Sequence, residues 1–285
     1  MSKILVTAAT GKTGKEVLNQ LLEKDIDAAG ACRHPDRIKK IHGETADARF
    51  LDIEKQQDFS EVLKDIDKLY LAISSGVSDM EKHGKRFIDA ALDSGVKKIV
   101  LLSSFRMDSD KPLALGQIEK YLIDNNVDYT ALKPNWFMQN LLTIYYDMIM
   151  KDDAIKLPTG DGKCAFIDTR DIAAVGIEAL LNDGHKGMDY QLTGPESMDY
   201  YEVADILSDA AGRKIEYKAL SEEEYKEMLR GLGFPESSLD GIANLYRTVK
   251  ENKADTVTNE VQNVLGREPI SMKQFAEDYA DKFKK

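Results

Sequence analysis

The segment Val6-Thr7-Ala8-Ala9-Thr10-Gly11-Lys12-Thr13-Gly14 places two glycines three residues apart, directly after an apolar run and directly before a helical repeat. A strand, a glycine-rich turn and a helix start, in that order, make a dinucleotide-phosphate turn. Gly11 lets the backbone approach a pyrophosphate, and Gly14 lets the helix lie close against the sheet. The free N–H groups of the first helical turn point at the phosphates, and the helix dipole favours their charge. Thr10, Gly11, Lys12, Thr13 and Gly14 are therefore candidate cofactor residues. The first glycine of the usual Gly-x-x-Gly-x-x-Gly spacing is Ala8 here. The turn accepts it provided that its backbone is not left-handed. The competing reading is a tight strand–helix turn without a ligand.

Arg33 stands 19 residues beyond Gly14, in Ala31-Cys32-Arg33-His34, at the end of an expected second strand. An acid at that place holds a ribose 2′-hydroxyl, whereas an arginine fork suits a 2′-phosphate. NADP(H) is thus expected ahead of NAD(H), with NAD(H) still possible; the plainer reading of Arg33 is a solvated surface residue. Asp52, after a third strand, can accept from an adenine amino group or cap a helix starting near Glu54, and the two roles can coexist. Ala72, Ile73 and Ser74 end a fourth strand, and Ser103 a fifth, where ligands lie outside the carboxyl ends of a parallel sheet.

Other chemistry is not indicated. Ser103 and Ser104 are followed by no Tyr-x-x-x-Lys, because Tyr121 is followed four residues later by Asn125. Arg106, Lys111, Tyr145 and Tyr146 are available polar groups, but nothing selects one, so the catalytic set stays open. The two cysteines, Cys32 and Cys164, and the four scattered histidines make no metal-ligand spacing. With a formal charge of −11 and dispersed basic residues, direct nucleic-acid binding is disfavoured. No run approaches the roughly 20 apolar residues that cross a bilayer. Met1-Ser2-Lys3 leads straight into Ile4-Leu5-Val6, which leaves no room for a signal peptide; a cytoplasmic location is expected.

The elements that must position these residues alternate. Ile4-Leu5-Val6, then 28–33, 48–51, 69–73, the run Ile99-Val100-Leu101-Leu102, and 129–132 read as strands; 79–94 and 113–125 read as helices, as does the repeat Val17, Leu18, Leu21, Leu22. Apolar strands alternating with helices imply an α/β, Rossmann-type doubly wound parallel sheet. After about Asn135 short strands such as 190–193 mix with helices at 170–181, 200–211, 221–232 and 272–282. The expected division is an NAD(P)-binding domain over 1–150, with a crossover return from about 165–185, and a smaller α/β substrate-covering domain over 151–285.

Together, Ala9-Thr10-Gly11-Lys12-Thr13-Gly14, Cys32-Arg33-His34-Pro35, Leu51-Asp52, the segments 98–104 and 127–140, Phe166-Ile167-Asp168-Thr169-Arg170-Asp171 and Leu192-Thr193-Gly194-Pro195 resemble the NmrA-like group of atypical short-chain dehydrogenase/reductases over nearly the full length. That group includes NAD(P)H quinone reductases, isoflavone-reductase-like enzymes and redox sensors without turnover. The resemblance implies that Pro134 contacts the cofactor and that Trp136, Phe137 and Asn140 line a substrate pocket. Leu115 stands where many relatives carry Lys or His, and an aliphatic side chain donates no proton. Asp171 reads as a helix cap. The leading expectation is an NADPH-dependent oxidoreductase that passes hydride to a quinone or similar small conjugated electrophile, acting as monomer or homodimer. Trp136, Phe137 and Met138 would form a flat apolar platform, or plain core. The alternatives are a non-catalytic NADP(H) sensor and a sugar-nucleotide epimerase or dehydratase.

Overall fold

A computed structural model describes residues 2–74 and 76–285; Met1, from which the N-terminal reading starts, lies outside them. The chain forms two compact units: Met1–Pro134 with Thr169–Leu192 and Asn263–Gly266, and Asn135–Asp168 with Thr193–Gln262 and Arg267–Lys285. The first unit is left at Pro134 instead of near residue 150, and the return spans Thr169–Leu192 instead of 165–185. The reason is burial: Met138, Leu141, Tyr145 and Ile149 all enter the second unit's own apolar cluster.

In chain order the first unit runs β1 (Ile4–Thr7), α1 (Lys12–Glu23), β2 (Ala28–Cys32), α2 (Pro35–His42), β3 (Asp47–Phe50), α3 (Ser60–Leu63), β4 (Lys68–Leu71), α4 (Met80–Asp93), β5 (Lys98–Leu102), α5 (Ala114–Asp124) and β6 (Tyr129–Pro134). A 3-10 turn (Met138–Leu142), α6 (Tyr146–Asp152) and β7 (Ala154–Leu157) follow in the second unit. The chain then returns with α7 (Thr169–Leu181) and β8 (Met188–Leu192). The seven strands of the first unit are all parallel, in the order β3-β2-β1-β4-β5-β6-β8.

The inner strands β1, β4 and β5 are near-continuous apolar runs because both sheet faces are covered there. Leu5, Leu69, Leu71, Ile99 and Leu101 pack with Phe87 and Ile88 of α4 and with Ile118 and Leu122 of α5. Helices α1 and α7 pack against each other. The strand order reverses between β1 and β4, the switch point outside which such sheets bind ligands. Strand ends differ slightly from the sequence reading. β2 stops at Cys32 and β4 at Leu71, so Arg33 and Ala72, Ile73 and Ser74 lie on the exits. β6 continues through Pro134, which pairs with Leu192 and whose carbonyl accepts from Phe105 N at 3.1 Å.

The second unit adds α8 (Tyr200–Ala211), β9 (Glu216–Ala219), α9 (Glu222–Gly231), α10 (Glu236–Lys250), α11 (Glu260–Leu265), α12 (Met272–Asp278) and α13 (Ala280–Phe283). β7 and β9 form a two-stranded parallel sheet. α8 and α9 each open on a reciprocal capping box, Asp199 with Glu202 and Ser221 with Glu224. The segment 272–282, expected as one helix, is broken at Tyr279. Among the described residues no helix is long and apolar enough to cross a membrane.

Candidate functional site

The candidate cofactor residues of the first unit converge on one edge of one sheet, since every strand carrying them runs in the same direction. The phosphate turn follows β1. Ala9 N donates to Ala31 O at 3.2 Å and Gly11 N to Ala8 O at 2.8 Å, so the turn is tied to β2 and closed on itself. Ala8 has a φ of 49°, which is left-handed. The condition set by the sequence reading therefore fails. The turn forms nonetheless, at a cost of about 1–2 kcal/mol for an L-residue in this region.

Gly14 shows why glycine is needed inside the helix. A Cβ there would stand 2.8 Å from both the Thr7 carbonyl oxygen and the Ala8 carbonyl carbon. No real side chain tolerates that approach to backbone. The N-cap of α1 is Gly11, with no side-chain cap and no acid in the first turn. Its leading N–H groups are thereby left to an anion. Lys12 is half-buried, and burial pushes its ammonium below the ordinary value; a phosphate beside it would reverse that. These features fit the diphosphate of a dinucleotide.

Thr7 is a positioning residue that the sequence reading missed. Its hydroxyl donates to Ala72 O at 2.8 Å and accepts from Ala72 N at 2.8 Å. A single buried side chain thus joins the end of β1 to the exit of β4, which carries Ile73 and the exposed Ser74.

Arg33 is exposed just beyond β2 and makes no ion pair among the described residues. Asp52 caps a turn and not a helix: Oδ1 accepts from Glu54 N at 3.2 Å and Lys55 N at 3.1 Å, and the next helix begins only at Ser60. Arg86 of α4 holds this loop from below, donating to Ile53 O at 2.7 Å and Gln56 O at 2.9 Å. Its long reach, 33 residues back to Ile53, left no sequence signal.

Ser103 is buried at the end of β5, with its N–H on Leu132 O at 2.8 Å. Its hydroxyl faces Glu119 of α5 at 3.5 Å. Glu119 pairs with Lys133 of β6 at 2.7 Å, and Lys133 also reaches Asp189 of β8 at 2.6 Å. A buried charged letter within the β6 run was the available clue to this cluster.

Trp136, Phe137 and Asn140 belong to the second unit. Trp136 and Phe137 are half-buried and Asn140 is buried. The segment is pinned: Ile167 N donates to Trp136 O at 2.9 Å and Met138 N to Ile167 O at 2.9 Å. Gln139 donates to Asp168 at 2.7 Å. The Trp136 ring lies 5.1 Å from the ring of Tyr246, so one face of the indole is already in the core.

Comparison with known proteins agrees with the first unit's geometry. The profile of the NAD(P)H-binding family matches residues 8–183. An NAD(P)H azoreductase from Xenophilus azovorans is 31% identical over 284 residues, covering 98% of this chain and 99% of that protein. A nucleoside-diphosphate-sugar epimerase from Staphylococcus aureus superposes with a TM-score of 0.81 at 26% identity, over 97% of this chain and 100% of that one. An NADPH-dependent quinone oxidoreductase from Escherichia coli, in complex with NADPH, superposes with a TM-score of 0.82 at 24% identity, over 96% and 99%; that likeness concerns the fold.

Proposed function

The chain belongs to the NAD(P)H-binding family of oxidoreductases, in its NmrA-like group, and from that premise we propose that it passes hydride from NADPH to a flat, conjugated electron acceptor such as a quinone. The observation that carries this reading is the phosphate turn together with Arg33, which has no ion-pair partner among the described residues, at a β2 exit that carries no acid in Cys32-Arg33-His34. The bound cofactor supplies the hydride. The uncapped start of α1 and Lys12 hold the diphosphate, and Arg33 takes a 2′-phosphate through its planar fork. Asp52 keeps Oδ1 on its own turn and offers the rest of its carboxylate to an adenine amino group. Ala72, Ile73, Ser74, Ser103 and Pro134 complete the cofactor contacts, and Trp136, Phe137 and Asn140 of the second unit line the acceptor's pocket.

Acceptors of this class tolerate the missing Tyr-x-x-x-Lys, because quinone oxygens and azo nitrogens can be protonated without a dedicated phenol. Similarity to an azoreductase along the full chain supports an acceptor of this kind. The epimerase reading rests on likeness to the staphylococcal protein and needs the absent pair.

The test is a fluorescence titration with NADPH and NADH, followed by a panel of quinones and azo dyes while the absorbance of the reduced cofactor is followed. Tight NADPH binding with rapid loss of absorbance is the expected result. Tight binding with no turnover on any acceptor would turn the reading to an NADP(H) sensor. Absence of binding would refute both.

A further inference from the structure

The cluster beneath Ser103 is placed to handle protons. The side chains of Glu119 and Lys133 are 1% and 4% exposed, whereas that of Asp189 is 41% exposed. Glu119 uses its two oxygens differently: Oε1 lies 2.7 Å from Lys133 Nζ and Oε2 faces Ser103 Oγ at 3.5 Å. Lys133 Nζ lies 2.6 Å from Asp189 Oδ2 and also donates to Met107 O at 3.1 Å. Ser103, Glu119, Lys133 and Asp189 thus form a run of proton-bearing groups from the carboxyl edge of β5 out to solvent.

An ordinary buried ion pair is balanced, and this one is not. Two carboxylates share one ammonium, so in the fully ionised cluster the buried Glu119 has only part of the Lys133 charge to itself, the rest being drawn to Asp189 at the solvent edge. Binding one proton on the buried carboxyl removes that deficit. Tyr129 of β6 also faces the cluster, and it adds no positive charge. Its phenol is pushed up to about 12 by burial and by the charges of Asp189 and Glu119. Burial, with a smaller part from Asp189, likewise raises the Glu119 carboxyl above its usual range, against the pull of Lys133.

We propose that Glu119 is the proton store of the site, re-protonating Ser103 as Ser103 gives its hydroxyl proton to the reduced acceptor. This rests on the reductase reading above. An acceptor that has received a hydride, two electrons and one hydrogen nucleus, needs one further proton. The Ser103 O–H bond breaks as an O–H or N–H bond forms on the acceptor. The Glu119 Oε2–H bond breaks as the Ser103 O–H re-forms. Glu119 then takes a proton from Lys133 Nζ, which regains one from water by way of Asp189. No oxidant or reductant is required besides NADPH and the acceptor. The 3.5 Å separation at Ser103 is of the kind that tightens when a reacting complex assembles.

Two measurements test this. Infrared difference spectra in H2O and D2O at neutral pH should show a protonated-carboxyl stretch that Glu119→Gln removes and Glu119→Asp retains; this arm needs no turnover. In steady-state assays Glu119→Gln should lower kcat by about 100-fold or more, the scale of a lost acid–base group, with an unchanged KM for NADPH. The wild-type fall of kcat with rising pH should disappear in Glu119→Gln and persist in Glu119→Asp. Unaltered NADPH binding shows that each variant is folded. Absence of the infrared band, or a Glu119→Gln variant with full kcat and the wild-type pH profile, overturns the proposal. A wild type that turns over no acceptor sinks the reductase reading instead, and the relay to the acceptor with it, while the infrared band still reports where the proton resides.

Discussion

Ala8 and Gly14 compete for one small volume: the Ala8 carbonyl carbon lies 2.8 Å from the point where a Cβ on Gly14 would stand. The left-handed backbone of Ala8 turns this carbonyl towards α1, and the helix follows by closing on it. A methyl group at position 14 must push back a turn that β1 and β2 both hold. Gly14→Ala is therefore expected to cost about 1–3 kcal/mol, the usual range for overpacking, and to weaken NADPH binding at least tenfold. Urea unfolding and a fluorescence titration read the two effects. An unchanged midpoint would mean that the turn yields freely.

Ala8→Gly should do the opposite. Glycine removes the left-handed penalty of about 1–2 kcal/mol but adds freedom to the unfolded chain, worth about 0.4–1 kcal/mol. The net expectation is a gain of about 0–1.6 kcal/mol, with NADPH affinity kept or improved. A lower unfolding midpoint would show that the Ala8 methyl contributes packing that outweighs its strain.

The first unit was largely legible because its signals are local. The apolar β1 and β5 runs, the turn ending at Gly14 and the basic exit at Arg33 each lie within a few residues. The buried cluster was not legible. Glu119, Lys133 and Asp189 are single charged letters, with Asp189 56 positions from Lys133, and only the packing of α5 beside β6 and the parallel pairing of β6 with β8 bring them together. α10 presents Leu239, Ala243, Tyr246 and Val249 on one buried face, a helical spacing, but Gly233 and Pro235 just before it and Gly241 within it read like a loop. β7 and β9 are four residues each and pair across a long insertion, so no local pattern announces them. Ala8 shows the limit of rules on residue type: the helix start and Gly14 impose a conformation that alanine disfavours.

Arg33 supplies the third prediction. It is exposed and holds no acid among the described residues, so its substitution should cost little stability. A charge-assisted contact of arginine to phosphate is worth about 1.5–3 kcal/mol. Arg33→Ser should therefore weaken NADPH binding by roughly 10- to 100-fold and leave NADH binding nearly unchanged. Parallel titrations measure the ratio. Equal losses for the two cofactors would remove Arg33 from the 2′-phosphate.

The two thiols should react very differently. Cys164 is buried, and burial pushes its thiol far above the usual range, so little thiolate exists to attack an alkylating agent. Cys32 is only partly buried, at the end of β2. Native protein treated with iodoacetamide should take up one adduct, at Cys32, and a second only on unfolding. Peptide mass spectrometry decides this. Native labelling of Cys164 would mean that its surroundings open readily.

Lys133 gives the last prediction, through the charge it balances. Lys133→Met leaves Glu119 buried without its cation. Removing one partner of a buried pair typically costs about 3–5 kcal/mol, and that loss is expected near neutral pH. The sign of the pH dependence follows from the direction of the Glu119 shift. Burial raises its folded carboxyl above the unfolded value, so its contribution is fully present below the unfolded value and is lost as pH rises through the folded one. Without Lys133 the folded value rises further, which widens that window. The variant should therefore recover part of its stability on going from about pH 8 to pH 5, because the folded state, which holds Glu119 protonated, takes that proton up at less cost as pH falls. Pairing it with Glu119→Gln should restore stability near neutral pH, because no buried carboxyl then remains that must be kept protonated. Urea unfolding of the single and double variants at both pH values measures this. A Lys133→Met loss that is independent of pH and unrelieved by Glu119→Gln would place the cost in lost packing of the lysine stem, not in uncompensated charge.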